Sequence, residues 1–148
     1  MEKTKEEQIE REIIWVIRNW KIIPDKFKSN LKPNNYKTDI KDLSLEEHFV
    51  VLLLDRQKPS VIADYSFDEE RIGITREGKV VWGFDSGCSC PSPWDDNYPN
   101  CYNVSKSWKE FIINLKDFDK EVIEECLKTI KEVKQETMQS EARHSSHA

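Results

Sequence analysis

Residues 71–84 read RIGITREGKVVWGF, and they decide the fold. Ile72 and Ile74 alternate with Gly73 and Thr75. Val80 and Trp82 alternate with Val81 and Gly83. A two-residue period sends alternate side chains to opposite sides of a strand, so this stretch belongs to a sheet with one covered face. Glu77-Gly78 joins the two halves. Glycine reaches positive φ without steric cost, which closes a tight hairpin. Antiparallel strands are therefore predicted over 71–75 and 79–84.

Upstream, residues 48–55 read HFVVLLLD. This continuous apolar run is short enough for a buried strand and too short for a helix, which places a strand over 49–54. Lys58-Pro59-Ser60 breaks it, and residues 61–65 read as another strand. Ser44 and Glu47 stand at capping-box spacing, predicting a helical turn just before the first strand. Residues 22–41 carry the turn chemistry of Pro24, Pro33 and Asn34-Asn35, so they read as a linker, anchored by Phe27, Leu31 and Tyr36. Before it, Ile9, Ile13, Val16, Ile17 and Trp20 share one face of a helix over 4–20. Ile14 and Trp15 widen that face toward a second neighbour, and Pro24 ends the element.

Downstream, Ser107 and Glu110 form a second capping box. A helix over 105–115 follows, with Trp108, Phe111, Ile112 and Leu115 as its stripe. Asp119 caps a last helix over 120–138, whose apolar side carries Val122, Cys126, Ile130 and Val133. Residues 140–148 are polar and are expected to be disordered. The pattern predicts an α+β class: one domain over 1–139, with an antiparallel sheet of three or four strands, an N-terminal helix and two C-terminal helices.

The chain has 148 residues, enough for one hydrophobic core. Its net charge of -5 disfavours a phosphate-backbone binder, which needs a surplus of Lys and Arg on one face. No run approaches the roughly 20 apolar residues of a membrane span. The charged start, MEKTKEEQIERE, lacks the apolar centre of a signal peptide. These features predict a cytoplasmic protein, whose cysteines stay reduced unless a metal or catalysis uses them.

One segment stands apart. Residues 82–101 read WGFDSGCSCPSPWDDNYPNC. The run Gly87-Cys-Ser-Cys-Pro-Ser-Pro-Trp-Asp95 resembles a motif of small phage and prophage proteins: Gly-Cys-Ser-Cys-Pro-x-Pro, then an aromatic and an acidic residue. Residues 58–63, KPSVIA, are also similar to theirs. The resemblance implies that this loop is a family feature of phage or prophage origin, and it brings no assigned activity.

The same residues admit several chemistries. Cys88, Cys90 and Cys101, with His48, supply four ligand types that zinc accepts, but two intervening residues are the usual spacing of paired cysteines. Cys88 or Cys90 with His48, oriented by Asp85, would make a nucleophile and base; no catalytic signature surrounds them. A disulfide across one residue is strained, which disfavours a redox pair. Asp95 and Asp96 offer carboxylates to Mg²⁺, although adjacent acids at a turn are more often solvated. The structural alternative has the thiols pin a proline-stiffened loop from inside. That loop then displays Trp94, Asp95, Asp96, Tyr98 and Tyr102. The sequence reading favours this display: a non-catalytic binding protein without cofactor, using Asp85, Cys88, Cys90, Trp94, Asp95, Asp96, Tyr98 and Tyr102. Its partner is a host protein or a small ligand. The alternative is a small cysteine-dependent or metal-binding enzyme built on Cys88 and Cys90 with His48.

Overall fold

The computed structural model describes residues 4–30, 43–44, 46–59, 66–88, 103–114 and 120–146; for 57–59, 66–69, 84–88, 114, 120 and 144–146 it describes the backbone alone. Helix α1 spans Lys5–Arg18. Thr4 starts it, its hydroxyl accepting from the Glu7 N–H at 3.2 Å. Asn19 stops it, its side-chain amide donating to the Trp15 carbonyl at 2.8 Å. A 3₁₀ turn, Trp20–Ile22, follows. Ile9, Ile13, Val16 and Trp20 are buried, as their spacing predicts. Trp15 packs against the core, whereas Ile14 is 48% exposed and joins no core cluster of the described residues.

Five strands form one antiparallel sheet in chain order: β1 (Lys28–Asn30), β2 (Phe49–Pro59), β3 (Ser66–Thr75), β4 (Val80–Cys88) and β5 (Asn103–Ser105). The expected count of three or four is thus corrected to five. β1 lies inside the stretch read as a linker, and β5 follows the unusual segment. Each is three residues long and has no apolar alternation of its own. They exist because β2 and β4 offer unpaired edges: Ser29 sits opposite Val50, and Val104 opposite Val81. The strand expected over 61–65 lies outside the described residues.

The hairpin forms as predicted, with Thr75 accepting from Gly78 and its amide donating to Lys79 at 2.9 Å. Gly78 has φ 87°, the left-handed region that favours glycine; a Cβ there would also lie 2.8 Å from Ile17 Cδ1, so the tip of that side chain would have to shift. β2 contains a bulge. Leu52 faces Gly73 and Leu54 faces Ile72, leaving Leu53 as the extra residue. Val51, Leu53 and Leu54 therefore all join one core with Ile72, Ile74 and Val80. Val50 and Leu52 join the other side, with Leu43, Val81 and Val104.

The helices cover the first of these faces. α2 (Trp108–Asn114) begins at Ser107, whose hydroxyl accepts from the Glu110 N–H at 3.2 Å. Phe111 is fully buried between Trp82 and Trp108, with ring centroids at 5.6 and 5.0 Å. Ile112 is partly buried; Leu115 and Asp119 lie outside the described residues. α3 (Lys120–Ser146) buries Val122, Cys126, Ile130 and Val133. It runs eight residues past the expected end at Met138, through most of the stretch expected to be disordered. Residues 139–146 contain neither glycine nor proline, so the backbone ladder meets no breaker. α1 and α3 lie side by side in the same direction: Lys5 pairs with Glu124, and Glu12 with Lys134 at 3.2 Å.

Candidate functional site

The sheet register places the residues singled out from the sequence. Asp85 lies on β4 opposite Glu69, and Cys88 ends β4 opposite Ser66. Cys90, Trp94, Asp95, Asp96, Tyr98 and Tyr102 lie outside the described residues, as does Cys101. The segment 89–102 leaves from a paired strand at Cys88 and re-enters the sheet at Asn103, opposite Trp82. Six residues of β4, 83–88, therefore extend past the point of re-entry. At about 3.3 Å per residue that is roughly 20 Å of strand. Trp82 secures the return, its indole N–H donating to Ser105 Oγ at 3.2 Å.

This end of the sheet is acidic in sequence. Asp68, Glu69 and Glu70 lie on β3 and Asp85 on β4. Arg56 pairs with Glu70, and Arg71 Nε donates to Asp55 at 3.1 Å. Glu69 and Asp85 occupy paired positions of the ladder.

His48 is at the other end. It closes a 3₁₀ turn, Glu46–His48, directly before β2, and is 8% exposed. The predicted capping box builds that turn: the Glu47 N–H donates to Ser44 Oγ at 3.3 Å, and Ser44 Oγ donates to Glu47 Oε1 at 3.2 Å. The Lys79 ammonium, 2.7 Å from Glu47 Oε2, holds that carboxyl below the usual carboxylate range against the opposing effect of burial. Val50, two residues beyond His48, faces Thr75, whereas Cys88 faces Ser66 at the far end of β3. The two levels are roughly 30 Å apart at about 3.3 Å per residue. A base must lie within hydrogen-bond reach of its nucleophile, and zinc ligands within bond length of one ion. The pairing of His48 with Cys88 is therefore corrected: the ladder sets them at opposite ends. Among the described residues no group of three His, Cys, Asp or Glu side chains is placed to hold a metal ion.

Cys126 belongs to the core, as its helical spacing predicts. It is fully buried, and burial pushes its thiol up to about 12. A concave feature missed in the sequence lies at the C-terminal end of α1. Ile17, Arg18, Asn19, Trp20, Lys21 and Ile22 line it, with Arg76 from the β3–β4 turn. A signal for it lies in the exposed row Arg11, Ile14 and Arg18, of which the sequence reading takes up Ile14 alone, as part of a widened apolar face.

The molecule is thus of the α+β class, with an antiparallel meander and helices on one face. No protein-family model, curated protein or solved structure matches the chain. No helix among the described residues is long and apolar enough to cross a membrane.

Proposed function

We propose that the chain is a non-catalytic binding protein that recognises a host protein or small ligand through residues 85–102. One observation carries this reading: the segment is tied at both ends to paired strands, Cys88 on β4 and Asn103 on β5. Fixed ends and the prolines at 91, 93 and 99 restrict the unbound chain, so less order must be gained on binding. Trp94 is the apolar anchor, and Asp95 and Asp96 form the polar rim. Asp85, with the acids of β3 beside it, extends that negative surface, so a basic partner face is favoured and binding weakens as salt rises. Cys88 and Cys90 hold the base of the segment. The motif around Gly87 supports a phage or prophage origin, and the cytoplasmic setting read from the charged start would keep the thiols reduced. The roughly 30 Å between the His48 and Cys88 levels weighs against the enzyme alternative.

The test compares Trp94→Ala and the Asp95→Ala, Asp96→Ala double variant with the parent chain. Thermal melting and affinity capture from host lysate are read together. Recognition predicts near-parental melting for both variants, with loss of the same mass-identified partner. A large fall in melting temperature for Trp94→Ala, with capture by the double variant intact, would assign the segment to the core instead.

A further inference from the structure

Four cations on one side of the molecule, Arg11, Arg18, Lys21 and Arg76, are exposed, and none is paired with a carboxylate among the described residues. Arg11 and Arg18 are seven residues apart on α1, so they share a face and lie roughly 10 Å apart along the axis. Ile14 stands between them and is 48% exposed; Ile22, beyond Lys21, is 40% exposed. Arg18, Lys21 and Ile22 continue into the cleft of about 170 Å³ that Arg76 closes from the β3–β4 turn. The chain as a whole carries a charge of -5, so this is a local reversal of sign. The nearby carboxylates are Glu7 and Glu10 toward the start of α1 and Glu77 beside Arg76. Glu7 and Glu77 are exposed, Glu10 is half-buried, and none of the three forms an ion pair with these cations.

We infer that the strip from Arg11 to the Arg76 cleft is a docking surface for an acidic peptide segment of a partner protein, one that interleaves carboxylates with aliphatic side chains. Charge selects the sign of the ligand, and four further features select its kind. The strip is longer than one phosphate, so it suits a chain carrying several anionic groups. Isoleucines alternate with the cations, which suits aliphatic side chains between carboxylates. Among the described residues of the strip, no aromatic face is left open for base stacking: Trp20, which lines the cleft, is 9% exposed and has Lys28 Nζ 5.4 Å from its ring centroid, and the half-buried Trp15 has Lys134 Nζ 5.5 Å from its own. The surface is concave at Arg76, whereas a bilayer asks for a convex or flat apolar face. It lies at the Val80 end of the ladder, away from Asp85 and Cys88.

The test uses the full chain and a fluorescein-labelled peptide of alternating Glu-Glu and Leu, read by fluorescence anisotropy at low salt. Saturable binding is expected, lost when Gln replaces Glu in the peptide. The Arg18→Glu, Arg76→Glu double variant should bind about tenfold more weakly or worse. Lys128→Glu with Lys131→Glu, an equal charge change on exposed positions of α3, should bind nearly as the parent does. Ile14→Ser with Ile22→Ser should weaken binding several-fold while leaving its salt dependence unchanged. If charge reversal lowers the melting temperature, Arg18→Gln with Arg76→Gln gives the same comparison without introduced acids. Four results would overturn the inference: no saturable binding by the parent; equal weakening by the α3 reversal; polyphosphate or phosphatidylserine vesicles bound more tightly than the peptide; or a parent that self-associates and becomes monomeric on reversal.

Discussion

Glu47 and Cys126 show opposite effects of environment on a titrating group. Glu47 is 12% exposed on its side chain yet stays charged, because Lys79 and Ser44 bond its carboxylate. Its folded pKa lies below its unfolded one. Its contribution to stability is therefore complete above the usual carboxylate range and is lost as pH falls through the lowered value. Glu47→Gln should lower the melting temperature at pH 7 and flatten the acid limb of the melting-temperature profile. Equal losses at pH 7 and at pH 3 would assign the effect to packing alone. At Cys126 burial outweighs the opposing charge of Arg56 and raises the thiol to about 12. The nucleophilic thiolate is then scarce at neutral pH. Iodoacetamide should leave Cys126 unmodified in the native protein and alkylate it in denaturant, as read by peptide mass spectrometry. Rapid native labelling at this position would mean that α3 opens locally.

At the scale of elements, legibility followed length and periodicity. α1, α2 and the core of β2, β3 and β4 carry their own apolar pattern, and each was readable from it. The run at 49–54 is a strand as its apolarity predicts, and both its faces are covered: Val50 and Leu52 join the second cluster, while the bulge at Leu53 turns Val51, Leu53 and Leu54 toward the helices. β1 and β5 were illegible because tertiary pairing, not composition, makes them strands. The far halves of β2 and β3 are polar, so the ladder there was invisible to a hydrophobic pattern. The candidate site was legible as a composition anomaly, and the register then separated His48 from it. α3 runs past its expected end because residues 139–146 hold no helix breaker; Thr137, fully buried and donating to the Val133 carbonyl at 2.7 Å, is the last buried position among those whose burial is described. Deleting residues 140–148 should therefore cost little, below about 1 kcal/mol, since surface segments contribute little. Urea denaturation measures it; a loss of several kcal/mol would show that the last turns pack on something.

The whole molecule is closed by its two ends. The meander joins each strand to its sequence neighbour, so the sheet is assembled from local contacts. The helices that cover it are not local: α1 opens the described chain, α3 ends it, and they pack against each other in parallel. Ile9, Ile13 and Val16 from α1 share one buried cluster with Cys126, Ile130 and Val133 from α3. The exposed Lys5–Glu124 and Lys26–Glu136 pairs add little to this, as surface ion pairs do. The apolar contacts are the closure. Removing α3 should expose that face of α1 and the helix side of β2 together. A chain ending at residue 119 should then lose its cooperative thermal transition, although the meander remains intact in sequence. Far-UV circular dichroism and tryptophan fluorescence should fall in one coincident transition for the full chain, as a two-state domain requires. A truncated chain that still melts cooperatively, with strand signal retained, would show that the sheet and α1 form a core without α3.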